Sequence, residues 1–250
     1  MATMRAVLAL VAFLAVAAAA PKSLPSNWPR CKKSDPKFGE CIRDAVHVAV
    51  KDLSAKGAKE FGVFPIDPLT IKQLDIDQGT GPVSIELHFK DLLISGLQKA
   101  KVGVINADVD KFHFMAPVTL AEGVNLKGQY KIDGKVLILP IKGEGACDLQ
   151  LDNVTGMVEL IGKESKVKDN VYMELVDFKF TFDTSRLKIK LENLFNGNKQ
   201  LSDSMNVFLN ENWSDILGEL KPAISQAFGA AFGDISNRIF RRVPYNSIFL

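Results

Sequence analysis

His47, His88 and His113 are the only histidines in this 250-residue sequence, so acid–base or metal chemistry would have to be built around them. No two of them stand at the spacing of metal ligands. His88 falls on the polar parity of an alternating segment, His47 on a helical one, and His113 between Phe112 and Phe114, so each reads as a solvated or locally satisfied ring. No Gly-x-Ser-x-Gly elbow, His-Glu-x-x-His pair or Cys-x-x-Cys pair occurs. Gly143-Glu144-Gly145 begins like a dinucleotide fingerprint, but Asp148 stands where the third glycine should be, and strand alternation follows instead of a helix. Asp75, Asp77 and Glu86 match three positions of a calcium loop; Gly79 and Thr80 then occupy positions that need a ligand and a glycine. We therefore expect no catalytic residue, no metal and no cofactor.

The remaining reactive groups point to compartment rather than to catalysis. Met1 to Ala20 carries a positive charge at Arg5, an apolar run from Ala6 to Ala17, and Ala18-Ala19-Ala20 as a cleavage context. That is the pattern of a secretory signal peptide, and the apolar run is short of the ~20 residues that span a bilayer. Residues 1–20 are expected to be removed, leaving 21–250 as one extracellular domain. In an oxidising compartment Cys31 and Cys41 could close a short loop or remain two unrelated thiols. Cys147 shares strand parity with Leu149 and Leu151 and reads as a buried, inert thiol. Asn153-Val154-Thr155 and Asn212-Trp213-Ser214 are glycosylation sequons. Asn212 sits at the edge of an apolar helical stripe, which leaves Asn153 as the candidate. With 31 Lys+Arg against 29 Asp+Glu and no basic stripe, nucleic-acid binding is not expected.

Three kinds of element must position whatever function remains. Asp35 with Pro36 suggests a helix start, and Ile42, Val46, Ala49 and Leu53 keep helical spacing until Gly57. From Leu74 to about Leu191 the period becomes two: Val83, Ile85, Leu87 and Phe89 alternate with Ser84, Glu86, His88 and Lys90. Asp133-Gly134 is a two-residue hairpin signal that sets Tyr130 opposite Leu137. Phe178, Phe180 and Phe182, then Leu187, Ile189 and Leu191, mark further strands of a long antiparallel sheet with one apolar face. Between Leu201 and Phe240, Met205, Leu209, Trp213, Ile216, Leu220, Ile224, Phe228, Phe232, Ile235 and Ile239 recur every three or four residues. The spacing predicts a very long helix with a kink near Gly218 to Lys221 imposed by Pro222.

Asp67-Pro68-Leu69, Leu126 to Lys135, Leu139 to Gly145, Leu194 to Lys199, Met205 to Trp213 and Val243-Pro244-Tyr245 together resemble the takeout and juvenile hormone-binding protein family of insects. The resemblance runs from Cys31 to the C-terminus. It implies an α+β fold in which a long C-terminal helix is wrapped by a strongly curved antiparallel sheet around an elongated apolar tunnel, together with a short N-terminal helix. It also implies a Cys31–Cys41 disulfide and a secreted carrier of small lipophilic molecules. The hormone-binding branch carries a second disulfide that Cys147 alone cannot form, so the sequence resembles the takeout branch more closely.

Assigning a lining to the apolar faces gives Val83, Ile85, Leu87, Phe89, Tyr130, Leu137, Leu139, Leu149 and Leu151 from the strands. The helix adds Phe208, Leu209, Trp213, Ile216, Leu220, Ile224, Phe228 and Phe232. The expected partner is a fatty acid, isoprenoid or hormone-like lipid carried by a monomer, with no stable membrane insertion. The competing expectation is a membrane-active lipid-transfer or lipopolysaccharide-binding protein, which needs a basic or aromatic docking tip; Lys221, Arg238, Arg241 and Arg242 are too scattered to make one.

Overall fold

The computed structural model describes residues 21–79 and 81–250; the expected leader lies outside them. Helix α1 spans Phe38–Lys56 and ends at Gly57, whose φ of 68° suits a residue without a Cβ. It begins at Phe38 rather than Pro36, because the Asp35 carboxylate accepts from Lys37 N at 2.8 Å and closes a separate turn first. Ten strands follow: β1 Leu69–Gln78, β2 Val83–Ser95, β3 Lys101–Val102, β4 Asn106–Asp108, β5 His113–Leu120, β6 Val124–Val136, β7 Leu139–Asp152, β8 Val154–Val167, β9 Asn170–Asp183 and β10 Arg186–Leu191. Helices α2 Lys199–Glu211, α3 Trp213–Phe240 and α4 Tyr245–Ile248 complete the chain.

The strands form two antiparallel five-stranded sheets instead of one. The first runs β1-β2-β6-β7-β10 and the second β3-β5-β8-β9, with β4 on β5. Ladder shifts fall between Lys90 and Leu93 of β2 and between Ile161 and Gly162 of β8, the kind of irregularity that bends long strands. A Cβ at Gly128, opposite the first shift, would lie 3.0 Å from Leu92 Cα.

The expected hairpin at Asp133-Gly134 is not there. β6 runs on to Val136, Leu137 and Ile138 form the turn, and Tyr130 faces Gly145 rather than Leu137. Gly134 serves another purpose: at φ 144°, a Cβ there would sit 2.3 Å from Ser84 O on β2. The register moves by an even number of residues, so every side chain keeps the face that its parity assigned.

The long helix is also interrupted in a different place. α3 continues through Pro222, and the break comes at Asn212, with φ −105° and ψ 19°. Asn212 N donates to Phe208 O at 3.0 Å, closing α2, and Asn212 O accepts from Ile216 N at 3.1 Å, opening α3. Its side chain adds a second donor to Phe208 O at 2.8 Å.

That break lets one helix run along one edge of each sheet, α2 on β10 and α3 on β9. Asn210 Oδ1 accepts from Ile189 N at 2.9 Å while its amide donates to Ile189 O at 2.6 Å. Asn206 does the same to Leu191, at 2.9 Å in both directions. Residues four apart on a helix rise ~6 Å, and alternate strand residues ~6.6–6.8 Å, so two asparagines one turn apart match the free backbone groups of β10. On the second sheet, Asn237 of α3 pairs with Leu175 N and O of β9 at 2.8 and 3.1 Å. These side chains stand in for a further strand and close edges that would otherwise template association.

Candidate ligand-binding site

With one edge of each sheet held against a helix, the apolar faces enclose space instead of packing shut. One cavity of about 380 Å³ lies between the sheets and α3. Ile216, Leu217, Leu220, Ile224, Phe228 and Phe232 of α3 face it, with Ile85, Leu87, Phe89, Leu149, Leu151 and Ile189 from the first sheet and Val118, Leu120, Val158, Phe180 and Phe182 from the second. Every side chain on its wall is apolar. A second cavity, of about 430 Å³, lies under α1, which contributes Ile42, Val46, Ala49, Val50 and Leu53. Trp28, Ile105, Phe114, Phe178, Ile239, Phe240 and Phe249 complete most of its wall. The two share Val50, Ile66, Leu97, Val118, Val158 and Phe232 and therefore adjoin.

Phe232 stands at that junction among aromatic neighbours. Its ring centroid is 5.9 Å from Phe178, 6.1 Å from Phe180 in an edge-on arrangement, and 6.0 Å from Phe228. Close approach of α3 to β9 makes the cluster possible, since a Cβ at Gly229 would meet Phe178 O at 2.3 Å. On the outer side of the same contact is a wider groove, lined in part by exposed Asp177, Lys179, Gln226 and Asp234, whose mixed charges suit water rather than lipid.

Of the residues assigned from sequence, Ile85, Leu87, Phe89, Leu149, Leu151, Leu209, Ile216, Leu220, Ile224, Phe228 and Phe232 lie on the first cavity's wall. Val83 and Tyr130 are in closed core instead. Tyr130 OH donates to Glu192 O at 2.8 Å, and burial pushes its pKa up to about 12. Leu137, Leu139 and Phe208 pack against that core away from either wall. Trp213 packs against the cluster around Leu187 and Leu217, with the Arg186 guanidinium 5.7 Å above its ring. Beyond those residues, the walls also draw on α1, on Leu97 and on the second sheet. Their apolar parity was visible at Ile42, Val46, Phe180 and Phe182, but nothing local showed that these faces meet the same space as α3.

Cys31 and Cys41 are joined, tying the segment before α1 to its first turn. Cys147 is free and buried, and burial pushes its thiol up to about 11. The histidines are occupied elsewhere: His47 Nε2 accepts from Val102 N at 2.9 Å, His88 meets Asp75 at 2.8 Å, and His113 meets Glu159 at 2.8 Å. The bond from His88 holds the Asp75 carboxyl below its usual range, and those from His113 and Lys179 do the same for Glu159. None of these groups is on a cavity wall. Among the described residues no cluster of His, Cys, Asp and Glu could hold a metal ion, and no helix is long and apolar enough to cross a membrane.

Two antiparallel sheets, a long C-terminal helix and an apolar interior define the class to which known proteins can be compared. The haemolymph juvenile hormone binding protein (JHBP) family matches residues 8–250, and the chain belongs to that family. The circadian clock-controlled protein daywake of Drosophila melanogaster is 26% identical over 238 residues, covering 92% of this chain and 90% of that protein. A putative beta-carotene-binding protein of Schistocerca gregaria is 21% identical over 217 residues, covering 86% and 85%. The crystal structure of Epiphyas postvittana Takeout 1 superposes with a TM-score of 0.73 at 27% identity, covering 88% of this chain and 98% of that one.

Proposed function

We propose that the protein is a secreted carrier that holds one small lipophilic molecule in the two adjoining cavities, which act as a single tunnel along α3. The observation that carries this reading is the wall itself: apolar side chains, broken only by Trp28 Nε1 and one serine hydroxyl in the second cavity, around space that neighbouring residues do not fill. Interiors ordinarily pack to crystal-like density, so voids of this size are retained for an occupant. A lipid chain burying ~400 Å² at ~25 cal/mol/Å² gains roughly 10 kcal/mol before the costs of association, enough for micromolar or tighter binding. Membership of a family named for hormone binding, and a relative named for beta-carotene binding, support the same chemistry.

The ligand contacts we assign are Ile85, Leu87, Phe89, Leu149, Leu151, Leu209, Ile216, Leu220, Ile224, Phe228 and Phe232. Secretion is supported by the leader pattern and the Cys31–Cys41 pairing. Asn153, exposed in the β7–β8 turn, is the proposed glycan acceptor; the Asn212 amide is committed to Phe208 O. Saturable uptake of an uncharged fluorophore by the purified protein, with the protein staying in the supernatant when spun with lipid vesicles, is the expected result. Co-sedimentation with vesicles in place of uptake would favour the membrane-active alternative.

A further inference from the structure

The carrier reading leaves open what kind of lipid fits, and the walls answer in terms of chemistry. Neither cavity presents a Lys, Arg, His, Asp or Glu side chain. The first cavity presents no polar side chain at all. The second presents one hydroxyl, on Ser236 of α3. A helical serine can bond back to the carbonyl one turn earlier, but the Ser236 hydroxyl has no partner among the described residues. The indole N–H of Trp28, on the same wall, is already committed, donating to Asp52 at 3.0 Å. Ser236 lies one helical turn beyond Phe232, on the same face, so the hydroxyl sits ~6 Å along the axis from the junction of the cavities.

A carboxylate drawn into these walls would lose its hydration with no cation and a single hydroxyl to compensate, which costs several kcal/mol. An alcohol, ketone or ester oxygen needs only one hydrogen bond. We propose that the carrier selects neutral lipids with one terminal oxygen function, which bonds to Ser236 Oγ in the second cavity while the hydrocarbon passes Phe232 into the first. Free fatty acids are thereby discriminated against. This rests on the carrier reading, and the test separates the two.

The test is displacement of N-phenyl-1-naphthylamine, an uncharged fluorophore, by hexadecan-1-ol, methyl hexadecanoate and hexadecanoate at pH 8. The alcohol and the ester should each displace it at least ~10-fold more tightly than the carboxylate. Ser236→Ala, which removes the hydroxyl and suits a helix, should weaken hexadecan-1-ol by about 3- to 10-fold, each displacement being referred to that protein's own fluorophore affinity, and leave the melting temperature unchanged. Hexadecanoate binding as tightly as the alcohol, or a Ser236→Ala protein indistinguishable towards hexadecan-1-ol, overturns the neutral-lipid proposal while the carrier stands. No fluorophore uptake by the unsubstituted protein overturns both.

Discussion

The two cavities have similar walls but different supports. The first is bounded by long antiparallel ladders and by α3, and one edge of each sheet is closed, β10 by Asn206 and Asn210 and β9 by Asn237. The second is roofed by α1, which has few neighbours and is fixed at separate points. Those points are the Cys31–Cys41 bond, the His47–Val102 hydrogen bond, Asp52 holding Asn27 and Trp28, and the close approach of Gly39 to Ile105 O. Burial of apolar surface can form either space, but distributed backbone pairing fixes one and a few anchors fix the other. Disturbances should therefore act on the two separately.

The largest expected effect is on the roof. Replacing Cys31 and Cys41 by serine should cost ~2–3 kcal/mol, the chain-entropy value for a loop of this length, read as a lower urea midpoint. Trp28, on the second cavity's wall, should change its emission before Trp213, which lies away from it. Simultaneous change in both would mean that the two regions are not separately supported.

Next come the sheet edges. Asn210→Ala strips Ile189 N and O of their partners and should cost about 2 kcal/mol. Asn237→Ala should cost less, about 1–2 kcal/mol, because its bond to Leu175 O is longer, 3.1 Å against 2.6 Å. Denaturant unfolding of both variants checks the order; no loss in either would show that the side chains do not close the edges.

The smallest effect concerns Cys147, embedded in the first sheet's core. Its thiol is raised from 9.0 to about 11 in the folded protein, so the folded state holds the proton more tightly than the unfolded one. The resulting stability is full below pH ~9 and is lost as pH rises towards about 11. The thiol should also resist alkylation at pH 8.5 until the protein is unfolded, as mass spectrometry of the labelled protein would show.

Periodicity made much of this architecture legible, because parity survives errors of register. Leu149 and Leu151 reach the wall even though the β6–β7 turn is at Leu137-Ile138 rather than Asp133-Gly134. A glycine demanded by a neighbouring strand looks the same in sequence as one demanded by a turn, which is why Gly134 misled. The helix break was hidden for a similar reason. Pro222 is an obvious interrupter, whereas Asn212 acts through hydrogen bonds to Phe208 and Ile216 that no spacing reveals. Asn206 and Asn210 read as the polar side of an amphipathic helix, and their role depends on β10 lying alongside. Tyr130 and Val83 share the parity of wall residues but sit where the sheet has no cavity beneath it, a distinction set by three-dimensional packing alone.

Uptake of lipid into the space along α3 is tested most directly by Leu220→Trp. Leu220 faces the first cavity. The substitution should fill that space, abolish N-phenyl-1-naphthylamine uptake that the unsubstituted protein displays saturably, and leave the melting temperature within a few degrees. No uptake by the unsubstituted protein, together with a Leu220→Trp protein destabilised by the ~1–3 kcal/mol of an overpacked core, would contradict the account.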